Sequence, residues 1–229
     1  MASVFKTYRS HIKIVIFVLV IVISWNILGI MIQGDSAVKW YFKKAPCQQS
    51  EETLTELKKL TFIMHDVLQN LGVAHAVCYG TLWGVLRSGK LLPWDNNIDM
   101  CVMYEEINKI DKELLQKRFK DIGVEMSFSS KMGHYELKYQ TVNGYINVFD
   151  KEFFRFRSSS LKQIGWNNFL FSSNNELSIP SHLLEAPFPK IKFYDKEIPV
   201  PKGDFEILKS FYPDNWWMEV YQDYFHNTI

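Results

Sequence analysis

Gly80 and Thr81, then Arg87 and Lys90, then Asp95, Asn97 and Asp99 bring into one short stretch the groups needed to handle phosphate and a hard cation. Gly80 follows the apolar run from Val73 to Tyr79, so backbone amides at a strand end can approach an anion where no side chain intervenes. If residues 95–102 are extended, Asp95, Asn97 and Asp99 share one face and Asn96, Ile98 and Met100 the other. Oxygen ligands of this kind suit Mg²⁺ or Mn²⁺, with substrate phosphates completing the shell. Arg87 has the planar fork that grips phosphate, and Lys90 is a second cation nearby. The plain alternatives are a strand-to-helix turn at Gly80, solvated charges at Arg87 and Lys90, and a turn cap at Asp95. Asp99, on an apolar strand, is costly to bury without a partner.

The elements that must position these groups follow from periodicity. Ser50, with Glu51 and Glu52 behind it, caps a helix carrying Leu54, Leu57, Leu60, Met64, Val67, Leu68 and Leu71 at helical spacing until Gly72. Residues 73–79 read as a buried strand, 82–86 as a short helix and 98–103 as a second strand. Ile107, Ile110, Leu114 and Phe119 predict a helix over 105–121. Residues 124–129, 135–141 and 145–149 read as strands, with Asn143-Gly144 as the strongest hairpin signal. Aromatics, Ser and Asn without a steady period predict long loops over 155–189. The fold class expected is α+β, a mixed sheet packed by helices.

Residues 14–32 are almost all apolar, long enough to cross a bilayer as a helix and longer than the core of a cleaved signal peptide. The expected organisation is a cytoplasmic tail over 1–13, an anchor over 14–32, a stem over 33–50 and a lumenal domain over 51–229. Lys6, Arg9 and Lys13 against Lys39, Lys43 and Lys44 favour that orientation only slightly. The whole chain is 47% hydrophobic and the part after the anchor is long enough to bury a core of its own, and a net charge of +1 gives no reason to expect nucleic acid. Cys47, Cys78 and Cys101 make an odd number. Cys78 and Cys101 lie on strands that could be neighbours, which would leave Cys47 to cross-link a homodimer. His65, His75 and His134 show no metal-ligand spacing, and Trp216 and Trp217 read as core or interface residues.

The run containing Gly80, Thr81, Leu82, Gly84, Arg87, Pro93, Trp94, Asp95, Ile98 and Asp99 resembles the signature of the LicD family, which includes bacterial phosphocholine transferases and fukutin-type proteins. The strand from Tyr145 to Phe149 and the tail with Ile198-Pro199-Val200-Pro201, Leu208, Tyr212 and Trp216 resemble later parts of the family layout. The resemblance implies a nucleotidyltransferase-like fold and transfer of phosphocholine or an alditol phosphate from a CDP-activated donor to a sugar hydroxyl. It implies Asp99, Asp95 and Arg87 as catalytic residues, Gly80, Thr81, Arg87 and Lys90 as substrate-binding residues, and a Golgi or endoplasmic reticulum location. It implies a cation held by two acids of an Asp-hydrophobic-Asp pair and a third acid on a later strand, positions filled here by Asn97, Asp99 and Asn147, with Asp95 in reserve. Amides at Asn97 and Asn147 remove charge from that site, so the second reading is an impaired relative that binds glycan, nucleotide or a partner transferase. A membrane-anchored structural protein is the third.

Overall fold

The computed structural model describes residues 15–25, 48–151, 159–166, 178–213 and 216. It divides into two units, Met1–Lys44 and Ala45–Ile229. In the first, residues 15–25 are helical and Val15 to Ile23 and Trp25 are exposed. No helix among the described residues is long and apolar enough to cross a membrane. The rest of the expected 14–32 span, the 1–13 tail, Cys47 with most of the stem, and Trp217 lie outside the described residues.

The second unit starts with helix α1 (Glu51–Asn70), whose cap is as expected: Ser50 Oγ accepts the Thr53 N–H at 3.1 Å. Its Leu57, Leu60, Met64 and Leu68 are fully buried, each such side chain contributing roughly 1.5–3 kcal/mol of apolar transfer. Gly72 follows at φ +71°. Then come β1 (His75–Val77), α2 (Tyr79–Ser88), β2 (Asn97–Met103), α3 (Tyr104–Ile107), α4 (Lys112–Lys120), β3 (Glu125–Ser129), β4 (His134–Tyr139), β5 (Val142–Lys151), β6 (Ser160–Gln163) and β7 (Ile179–Pro180). A separate hairpin of β8 (Lys190–Phe193) and β9 (Lys196–Pro199) and helix α5 (Glu206–Phe211) complete it.

Strands β1 to β7 form one mixed sheet in the order β1-β2-β5-β4-β3, with β6 extending β5 and β7 pairing with β6. β2 and β5 are parallel and every other pair is antiparallel. Asp99 is level with Tyr145 and Cys101 with Asn147. Alternation therefore sets Asn97, Asp99, Tyr145 and Asn147 on one face and Ile98, Met100, Ile146 and Val148 on the other. The second set is buried, on the face that receives α1.

Two expectations need correction. Asn143-Gly144 is not a turn: both lie inside β5, and the chain reverses at Gln140 and Thr141, between the paired Tyr139 and Val142, with Gln140 at φ +51°. Gly144 is instead a point of close approach, because a Cβ there would lie 2.7 Å from Met64 Sδ and 3.2 Å from Leu60 Cδ2 of α1. The single helix expected over 105–121 is two, α3 and α4. The Asp111 carboxylate accepts the N–H groups of Glu113 and Leu114 at 2.7 and 3.1 Å, starting a new helix where the pattern alone would continue the old one. The 155–189 region contains β6, β7 and a 3₁₀ turn at Ser181–Leu183; residues 152–158 and 167–177 lie outside the described residues.

Candidate functional site

The start of α2 is fastened to β2 around Asp99. Cys78 donates its N–H to the Asp99 carbonyl at 3.0 Å, and a Cys78–Cys101 disulfide joins the two segments two residues further along β2. Thr81, buried, accepts the Asp99 N–H on Oγ1 at 3.0 Å. Tyr79 enters the helix at φ +51°.

The two glycines of this region do different things. A Cβ on Gly80 would sit 3.4 Å from Asp95 Oδ1, so the Gly80 backbone lies against that carboxylate. A Cβ on Gly84 would sit 2.5 Å from the Lys90 carbonyl oxygen and 3.0 Å from the Leu92 nitrogen. Only glycine lets α2 touch the 90–92 backbone. That contact presents the Leu92 N–H to Asp95 Oδ2 at 2.8 Å.

Asp95 itself departs from expectation. β2 begins at Asn97, and Asp95 sits in the preceding turn, its own N–H bonded to the Leu92 carbonyl. Strand parity therefore accounts for Asn97 and Asp99 but not for Asp95, which the turn delivers. The two carboxylates nonetheless interact. Burial pushes Asp95 up to about 7, the Leu92 N–H opposing and nearby Asp99 adding to the rise. Burial pushes Asp99 up to about 6 against the amide hydrogen bonds of Asn147 and Asn97.

Those amides define the site. Asn97 Nδ2 donates to Asp99 Oδ2 at 2.6 Å and Asn147 Nδ2 donates to Asp99 Oδ1 at 2.9 Å. Asn147 Oδ1 accepts from Gln163 Nε2 at 3.1 Å, and the same nitrogen donates to the Met132 carbonyl at 3.0 Å. Tyr79 Oη donates to Gln163 Oε1 at 3.0 Å. The part-buried Tyr79 and Tyr212 have their phenols raised first by desolvation and then by the charge of Asp99.

Arg87 and Lys90 make other contacts. The Arg87 guanidinium lies 4.4 Å from the centroid of the Trp83 ring, which stacks on Tyr212 at 5.0 Å. Lys90 is exposed and meets the site through its backbone carbonyl against Gly84. Tyr79 and Gln163 were not anticipated. No sequence signal marks Gln163, because it comes from the aperiodic region and reaches Asn147 only through pairing of β6 with β5.

The LicD/FKTN/FKRP nucleotidyltransferase-domain family matches residues 72–203, a span that holds every residue from Tyr79 to Gln163 named above. The chain belongs to the LicD/FKTN/FKRP family. No curated protein matches the sequence. Among solved structures, that of ANT(2")-Ia in complex with adenylyl-2"-tobramycin is similar over 67% of this chain and 71% of that one, at 8% identity and a TM-score of 0.38.

For a LicD-type chain the question is whether these residues fit the divalent cation that the resemblance implies. Among the described residues there is no group of three or more His, Cys, Asp or Glu side chains able to hold a metal. The two amides of the expected set, Asn97 and Asn147, turn hydrogens toward Asp99, and hydrogens do not ligate cations. As arranged, this donor set does not fit Mg²⁺ or Mn²⁺.

Proposed function

We propose that this LicD-type protein works in glycan modification by binding a CDP-activated phospho-alcohol, of the phosphocholine or alditol phosphate kind, at the corner of Gly80, Thr81, Asp95 and Asp99. Family membership itself suggests a phosphotransferase or glycan-modifying role. The observation that carries the finer reading is the convergence of the α2 start with two carboxylates: Gly80 abuts Asp95 and Thr81 holds the Asp99 backbone. Backbone N–H groups at a helix start favour the diphosphate of such a donor, and Asp95 or Asp99 would orient a sugar hydroxyl. In transfer, that hydroxyl oxygen would bond to the outer phosphorus, its proton would pass to a carboxylate, and cytidine monophosphate would leave.

Binding without turnover is the second reading, favoured by the amide hydrogens that occupy both oxygens of Asp99. Calorimetry of the full chain in detergent with CDP-choline and CDP-ribitol tests the shared part. Saturable binding that Thr81→Val weakens is expected; no heat with either nucleotide removes the donor reading. Release of cytidine monophosphate in the presence of glycan acceptors separates transfer from binding alone.

A single-pass protein with its domain in the Golgi or endoplasmic reticulum lumen belongs to this proposal. The Cys78–Cys101 disulfide supports an oxidising compartment. With those two paired, Cys47 is the odd cysteine of the three and the residue through which a homodimer would be linked. A non-reducing gel with only monomer would remove the dimer.

A further inference from the structure

The amides around Asp99 lie between two groups that only accept, the Met132 carbonyl at one end and the Asp99 carboxylate at the other. The Met132 carbonyl can only accept, so Gln163 must face it with Nε2, at 3.0 Å. That leaves Gln163 Oε1 for the Tyr79 hydroxyl and turns Nε2 also toward Asn147, whose Oδ1 must then be the acceptor. Asn147 consequently aims Nδ2 at Asp99 Oδ1, while Asn97 supplies Nδ2 to Oδ2. Gln163 Nε2 thus donates both ways, to the Met132 carbonyl and to Asn147, and Asn147 donates onward to the carboxylate.

We infer that this wired amide network stands in for a divalent cation at Asp99, so the corner holds its ligand without Mg²⁺ or Mn²⁺, and Asn97 and Asn147 are the residues that keep a cation out. The physical reason goes beyond the count of charges. For Asn147 to offer its oxygen to a cation, its NH₂ would have to face the NH₂ of Gln163. Reversing Gln163 in turn would set Oε1 against the Met132 carbonyl, with the Tyr79 hydroxyl turned from donor to acceptor. A donor facing a donor at the part-buried contact of Asn147 with Gln163 costs about 1–3 kcal/mol. The gain is local: two amide N–H groups solvate a part-buried carboxylate that would otherwise require a counter-charge. The main-chain anchor is itself rigid. A Cβ on Gly133 would lie within bonding distance of the Ile164 carbonyl oxygen, so the turn carrying Met132 and the end of β6 carrying Gln163 are pressed backbone to backbone.

The test reads cation binding directly. Full-length protein in detergent is titrated with Mn²⁺, the free ion being followed by electron paramagnetic resonance, for the native chain, Asn97→Asp, and Asn97→Asp with Asn147→Asp. The native chain is expected to take up no Mn²⁺ in a saturable manner below millimolar concentration, and the double variant to bind one ion at least tenfold more tightly. The single variant, at the half-exposed start of β2, gives an intermediate gain and serves if the double variant does not fold. Saturable micromolar binding by the native chain that Asp99→Ala abolishes overturns the inference, as does the absence of any gain in the folded variants. A parallel calorimetric titration with CDP-choline in EDTA and in Mn²⁺ rests on the donor reading above: equal affinity is expected, and a requirement for Mn²⁺ counts against the inference. If CDP-choline binds in neither buffer, the donor reading falls while the Mn²⁺ titration still decides the cation question.

Discussion

Thr81 Oγ1 accepts the backbone N–H of Asp99 at 3.0 Å, tying the first turn of α2 to the strand that carries the central carboxylate. Thr81 is buried, so Thr81→Val leaves that N–H without a partner in nearly the same volume. The expected loss is about 1–3 kcal/mol in urea unfolding, together with weaker CDP-choline binding. Thr81→Ser keeps the hydroxyl and restores most of both. A stable Thr81→Val protein with native affinity would sink the assigned role.

Gly84 governs a backbone contact rather than a turn. Alanine there meets the Lys90 carbonyl and the Leu92 nitrogen, neither of which is a flexible chain end. Gly84→Ala is expected to destabilise by about 1–3 kcal/mol and to shift the loop whose Leu92 N–H holds Asp95. Chemical denaturation and CDP-choline titration measure the two effects. Gly80→Ala, whose Cβ would make an ordinary contact with Asp95, should cost less stability.

Asp95 makes the fold sensitive to rising pH. Its folded value of about 7 lies above the usual 3.8, so its contribution is fully present below about pH 4 and is lost as pH rises through 7. Asp95→Asn stays neutral and keeps an acceptor for Leu92. It is expected to melt higher than the native chain at pH 8, with the difference shrinking toward pH 4. Equal melting temperatures throughout would contradict the burial argument.

The buried pair of His65 and His75 acts in the other direction. His65 Nδ1 and His75 Nε2 are 2.8 Å apart, and His75 Nδ1 lies 2.7 Å from the Val73 carbonyl. Burial lowers His75 to about 4, and also lowers His65. The unfolded chain takes up protons near pH 6.5 and the folded chain does not, so stability is lost as pH falls from 6.5 toward 4. His75→Gln should flatten this acid limb in melting experiments at pH 4.5 to 6.5.

The Cys78–Cys101 bond closes a loop of 23 residues' separation. The chain-entropy estimate for such a loop is about 3 kcal/mol. Both cysteines are fully buried, so replacing the pair with Ala should cost that order in urea unfolding. Because the bond also fastens the α2 start beside Asp99, CDP-choline affinity should fall with it. Unchanged stability in the double variant would remove the bond from the account of the site.

Local chemistry made much of this protein readable in advance. The Ser50 cap, the apolar stripe of α1 and the alternation of Asn97 and Asp99 along β2 are properties of neighbours in sequence and hold in the fold, whereas Asp95, expected on the same strand face, comes from the preceding turn. Signals whose meaning depends on a distant partner misled. Asn143-Gly144 looks the same whether it makes a hairpin or admits Met64, and only the packing of α1 on β5 separates the two. The helical pattern from Ile107 to Phe119 does not reveal that Asp111 will restart the helix.

For the site, sequence alone determined which groups were at hand: one strand carboxylate, a second just before it, and amides where the family resemblance implies acids. It could not determine what those amides do, because Asn offers both an oxygen and two hydrogens. Tertiary structure decided that. Pairing of β6 with β5 brings Gln163 to Asn147, the Met132 carbonyl fixes which end of Gln163 faces it, and that polarity, relayed through the fold, turns hydrogens toward Asp99.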